Sequence, residues 1–172
     1  MTSDKPELSA DIVAMEDKVL RDESVALGAR LFRSVRLKGD RLSKDDPHWI
    51  TLGGKSLPRV VVVDTAGKKV GGLEAGDLSA SNLFKVMKKA AAKTYKADLE
   101  KVVKESRAIL DDIDAVSTKQ AQLVEAKKDA KPAKLKEIEA EEAALAKQLT
   151  ELQARDADLL KRTTDDRKVS KN

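Results

Sequence analysis

Residues 56–73 read SLPRVVVVDTAGKKVGGL, and the reading of this stretch decides the fold. The four consecutive valines Val60–Val63 are the unbroken apolar run of a strand buried on both faces. Asp64–Lys68 supplies turn chemistry, because Gly67 reaches positive φ without a Cβ penalty. Val70–Leu73 continues as a shorter, weaker strand. The stretch therefore predicts a β-hairpin with Pro58 at its entrance and the valine strand at the centre of a sheet.

Upstream of the hairpin, Leu8, Ile12, Met15, Val19, Val25, Leu27 and Leu31 recur mainly at three- and four-residue steps, which predicts an amphipathic helix broken near Arg21–Ser24. FRSVRLKGD, residues 32–40, sets Phe32, Val35 and Leu37 among basic residues and predicts a short strand. Residues 41–56, polar and carrying Pro47, Gly53 and Gly54, read as a loop. Downstream, Leu83, Phe84, Val86, Met87 and Ala90–Ala92 form the apolar stripe of a helix that a Ser or Asp caps.

After Tyr95 the pattern becomes a heptad. Leu99, Val102, Ser106, Ile109, Ile113, Val116, Gln120 and Leu123 alternate steps of three and four, and so do Leu135, Ile138, Glu142, Leu145, Leu149, Leu152, Asp156 and Leu159. Pro132 costs about 3 kcal/mol inside a helix and little at a first helical turn, so it marks a turn between two helices. Folding back there gives an antiparallel hairpin whose arms, at 1.5 Å per residue, are roughly 45 Å long. The competing arrangement, one continuous helix dimerising with another chain, has to tolerate Pro132 mid-helix.

Composition agrees with a small compact module plus an extension. Of the 172 residues 37% are charged and only 2% aromatic, and Phe32, Trp49, Phe84 and Tyr95 all precede residue 96, which places the compact core there. The absence of cysteine removes disulfides, thiolate metal sites and thiol–disulfide exchange. No basic segment followed by an apolar run opens the chain, and no window approaches the ~20 apolar residues of a membrane span, so a cytoplasmic location is the expectation.

MEDKVLRDESVALGARLFRSVRLKGD, residues 15–40, resembles the helix and following strand of bacterial thioredoxin-like proteins. Residues 56–87, SLPRVVVVDTAGKKVGGLEAGDLSASNLFKVM, are similar to that family's proline, β-hairpin and last helix. The resemblance runs from about Ser9 to Lys93. It implies a cis bond before Pro58, where the family's proline lies against the redox sulfurs and shapes a peptide-binding groove. It also places the C-x-x-C motif at Ser9–Ile12, SADI, where neither redox position holds sulfur. The eight residues before it leave no room for the strand that normally neighbours the valine run. That edge must then be covered, either by residues 32–40 in a shrunken three-stranded sheet or by a strand from a partner chain.

Other candidate sites are weaker. His48 beside Asp45 and Asp46 lies in one loop with no second histidine, a poor transition-metal site. Gly54-Lys55-Ser56 matches the end of a phosphate loop, but that motif needs a glycine five residues earlier and Trp49 stands there. A first basic cluster comprises Lys85, Lys88, Lys89, Lys93, Lys96, Lys101, Lys104 and Arg107. A second, at the hairpin tip, comprises Lys127, Lys128, Lys131, Lys134 and Lys136, the candidate docking or anion-binding residues. Either suits an anionic partner, although a solvated helix face accounts for both more simply.

The expected architecture is a truncated thioredoxin-like α/β module over residues 1–95, a small sheet with flanking helices. An antiparallel coiled-coil hairpin follows over 96–163, turning near 129–133, and then a polar tail over 164–172. The expected function is non-catalytic: a redox-inactive protein-interaction or scaffold module without metal or cofactor, joined to a protein partner or a second copy through the coiled coil and the free sheet edge. Nucleic-acid or ribonucleoprotein binding through the basic tip is the second reading. A fragment of a longer thioredoxin-like redox protein is the third.

Overall fold

The computed structural model describes residues 6–37, 43–128 and 130–167. The chain is mostly helical with one two-stranded antiparallel sheet. It divides into two compact units, one comprising Met1–Val103 with Thr163–Asn172, the other Lys104–Arg162.

In the first unit, α1 (Pro6–Met15) runs into a π-helical turn (Glu16–Leu20) and then α2 (Glu23–Ala29). Asp22 makes the break: it leaves the helical region and its carboxylate accepts the Val25 N–H, satisfying a donor that a helix start leaves free. Ile12, Met15, Val19, Val25, Leu27 and Leu31 are buried, as their spacing predicts. Residues 33–37 form no strand, and the remainder of the predicted strand, 38–40, lies outside the described residues. Within the predicted loop, α3 (Trp49–Leu52) makes a single helical turn, closed because the His48 carbonyl accepts from both Thr51 N and Leu52 N.

The hairpin pairs β1 (Arg59–Val63) with β2 (Lys69–Glu74), and Gly67 takes φ 76° in the turn between them. The Asp64 carboxylate closes the turn by accepting from Ala66 N and Lys68 N. α4 (Ala80–Thr94), capped by Ser79, lies on one face of the pair. Val62 stands opposite Gly71 on that face, and a Cβ on Gly71 would come within 2.7 Å of a Val86 methyl, so helix and sheet approach closely only because this residue has no side chain. The valine run is therefore not buried on both faces. Val62 is buried, whereas Val63 on the opposite face is 38% exposed, because a single helix covers a single face of a two-stranded sheet. Nor is the sheet three-stranded among the described residues.

Tyr95 ends α4 in an extended conformation and donates its hydroxyl to the Leu31 carbonyl at 2.8 Å. Asp98 then caps α5 (Leu99–Lys128), accepting the Glu100 N–H. Helix α6 (Pro132–Asp165) begins at Pro132, which occupies the one helical turn where its missing N–H costs little. It extends to Asp165, and beyond it the Asp166 carbonyl accepts from Lys96 N while Arg167 bridges to Tyr95. The start of the predicted tail is thus bound rather than frayed, and residues 168–172 lie outside the described residues.

The second unit is an antiparallel helical hairpin. Lys127 Nζ meets Glu142 at 2.8 Å near the turn, and Arg162 pairs with Glu105 at the other end. Stepping one seam position at a time from Lys127 and Glu142 sets Leu123 with Leu145 and Val116 with Leu152, and these residues form the apolar cluster together with Ile113 and Leu149. Every predicted seam residue is buried or half-buried.

Leu145 is buried and Val124 is 54% exposed, which separates core from surface on the hairpin. Leu145→Ala is expected to lower stability by about 2–5 kcal/mol, and Val124→Ala to change it by no more than about 0.5 kcal/mol. Chemical denaturation followed by far-ultraviolet circular dichroism measures both.

Candidate functional site

The first unit gathers its polar chemistry at the open end of the β-hairpin. Arg59, first residue of β1, stands opposite Glu74, last residue of β2, on the face away from α4. Although charged, Arg59 is only 4% exposed; its guanidinium lies 5.8 Å from the centre of the Trp49 ring, within cation–π range. Burial pushes the Arg59 pKa down, and the neighbouring Glu74 charge opposes that shift. α3 therefore acts as a lid, placing its single tryptophan over the buried cation.

Glu74 is the hub. Its carboxylate accepts from Lys55 N at 3.0 Å, Ser56 N at 3.1 Å and Ser56 Oγ at 3.1 Å, and so clamps the loop before Pro58 to the end of β2. The Lys55 N–H, followed by the Ser56 donors and Arg59, holds the Glu74 pKa below its usual value. The Gly54-Lys55-Ser56 segment does converge donors on an anion, and the anion is the chain's own carboxylate. The Leu57–Pro58 peptide bond beside it is cis.

A second feature is the other edge of β1. Among the described residues β1 has β2 as its one strand neighbour, so its second edge carries no strand. Residues 33–37 run without regular structure and are exposed throughout, with Val35 at 71% and Leu37 at 39%. Arg36 ties this segment to Glu16 at 2.9 Å.

The hairpin-tip lysines do not form an open cationic patch. Lys127 pairs with Glu142, Lys128 with Glu125 at 2.7 Å and Lys134 with Glu137 at 2.7 Å; Lys131 and Lys136 are exposed. The hydrogen bond from Glu142 raises the Lys127 pKa, and that from Glu137 raises the Lys134 pKa. Glu125–Glu142 holds five lysines against six acidic residues, so the tip carries no basic excess. On α4 Lys88 pairs with Glu100 at 2.8 Å, leaving Lys85, Lys89 and Lys93 along the exposed side.

The remaining candidates stay apart. His48 is exposed, with its N–H given to Asp46, and among the described residues no three His, Cys, Asp or Glu side chains cluster to hold a metal. Ile12 of the SADI segment is buried, and Ser9–Ile12 all lie within α1. Among the described residues no helix is long and apolar enough to cross a membrane.

No protein-family model, curated protein or solved structure matches the chain.

The roles of Arg59, Trp49 and Glu74 escaped the reading of the sequence. The available signal was an arginine opening an apolar strand and a glutamate closing its partner, which antiparallel pairing brings level.

Because the folded Glu74 pKa is depressed, its contribution to stability is present above the unfolded glutamate value of about 4.3 and is lost as pH falls through the folded value. Trp49 is the only tryptophan and reports on the site directly. Acidification below about pH 4 is expected to change its fluorescence in the native chain, and in Glu74→Gln that acid step disappears. An acid step of the same size in the variant would show that another group controls the loop.

Proposed function

We propose that the chain is a non-catalytic protein-interaction or scaffold protein, in which a redox-inactive thioredoxin-like module carries a coiled-coil hairpin. The free edge of β1 is the observation on which this reading rests. A strand that bonds on one side and is open on the other presents a row of backbone donors and acceptors, which is how sheets recruit partner strands. The thioredoxin-like assignment rests on the order of α1–α2, hairpin and α4 together with the sequence resemblance.

The hairpin contributes rigidity rather than an open seam. Its heptad residues are used within the chain, with apolar levels such as Leu123–Leu145 separated by levels that contain a polar residue, such as Gln120–Leu149 and Lys127–Glu142. Polar residues at such positions fix register at some cost in stability. The balanced charge of the tip favours a protein partner over nucleic acid, whose phosphates select clustered unpaired cations.

Tagged protein isolated from its native host is expected to retain a protein partner in stoichiometric amount, and nuclease treatment should leave the recovery unchanged. Loss of the bound material on nuclease treatment, with a salt-dependent affinity that falls when Lys131 and Lys136 are changed to Glu, would assign the function to nucleic acid instead.

A further inference from the structure

We propose that the free edge of β1 is filled by residues 33–37 of a second copy, exchanged reciprocally to form a two-fold dimer; this rests on the interaction reading given above and names the partner.

The edge and its filler are both present in one chain and unpaired. Val60–Val63 bond only to β2 among the described residues, and Arg33–Leu37 has no strand partner. Arg36 holds the segment to its own Glu16 rather than to a strand of its own chain among the described residues, and a second copy supplies both the edge and the filler. Edges left open in this way are liabilities that sheet proteins cover or pair.

Charge and periodicity select one register. Run antiparallel, Arg33 falls opposite Asp64, Val35 opposite Val62 and Leu37 opposite Val60. The exposed apolar pair Val35 and Leu37 then lands on the α4 side of the sheet, beside the two valines already facing that helix, while Ser34 and Arg36 fall on the open face. A parallel alignment sets Arg33 against Arg59, like against like. A slip of one residue turns Val35 and Leu37 outward. Asp64 uses one carboxylate oxygen, Oδ1, to hold the turn, which leaves Oδ2 for Arg33. Reciprocal exchange closes on itself, because each copy gives one strand and takes one.

Sedimentation velocity of the full chain tests the proposal. The expected species has twice the 18.8 kDa chain mass and reverts to chain mass in Val35→Pro, a change at a 71% exposed site that leaves the described contacts intact. Arg33→Glu, which sets two acids face to face, is expected to weaken the dimer at least tenfold. Cysteine pairing reads the register cleanly, since the native chain has no cysteine. When Ser34→Cys and Val63→Cys chains carrying different tags are mixed and oxidised, a disulfide should join the two kinds of chain, because these positions are level in the proposed register. Ser34→Cys mixed with Val61→Cys should join poorly. Chain-mass protein at every concentration overturns the proposal. A dimer that survives Val35→Pro, or that fails to crosslink, overturns strand exchange and leaves the interaction reading standing. Nuclease-sensitive binding to an intact, crosslinking dimer removes the protein-partner reading and leaves the exchange standing.

Discussion

The contact between α4 and the β-hairpin sets the terms for the rest of the first unit. Two strands alone are marginal in water, since each residue pair buries little and both faces stay wet. α4 supplies one dry face, and it reaches the sheet because Gly71 holds no side chain where the Val86 methyls lie. Leu83, Met87, Ala90 and Ala91 are buried on the same helix, and Met87 lies against Gly28 of α2, so α4 packs on α2 as well as on the sheet. A larger residue at 71 would meet the Val86 methyls and push helix and strand apart. The opposite face is managed by different means: Arg59 under Trp49 of the one-turn α3, and Glu74 bonded to the loop at Lys55 and Ser56. One face is thus held by packing and the other by hydrogen bonds and charge.

The helical hairpin solves a different problem. Two helices with one shared seam have to specify both partner and register, and apolar residues alone specify neither. Here the apolar levels around Val116, Leu145 and Leu152 provide the burial. Lys127, half-buried beside the seam, joins α5 to α6 through Glu142 at 2.8 Å and Glu139 at 4.0 Å. Exposed pairs such as Lys128–Glu125 and Lys134–Glu137 lie within one helix and add little to the fold. Their effect is on charge, since each offsets a lysine of the tip.

Much of this was legible in the sequence, and the reasons for success and failure are physical. The heptads were readable because burial along a two-helix seam follows the 3.5-residue period directly, and Pro132 and Gly67 were readable because their backbone restrictions are intrinsic. The depth of the valine strand was misjudged, because an apolar run records what a strand tolerates and not how many layers are available to cover it. FRSVRLKGD was expected as a strand on alternation alone, yet a strand exists only where a neighbour accepts its backbone bonds, and residues 33–37 have none among the described residues. The tip lysines were counted without the acids between them, and three of the five are paired with glutamates. The cluster of Trp49, Arg59 and Glu74 was invisible for the opposite reason: its members are 10 and 15 residues apart, the antiparallel register brings Arg59 and Glu74 level, and the one-turn α3 brings Trp49 over Arg59.

The open edge of β1 is short, and its ends are defined. Pro58 precedes it and offers no N–H, while the register irregularity between Val62 and Val63 disturbs the ladder at the far end. An edge bounded in this way cannot propagate into an indefinite stack, as a long flat edge of the same composition would. Yet no lysine, and no charge along its middle, protects the span between those bounds, and such charges are the usual way sheets keep strangers off. A bounded but unprotected edge of four valines suits one short strand of matching length. Arg33–Leu37, five residues ending in two exposed apolar positions of the right period, has that length, and its leading arginine meets the one acid at the end of the edge.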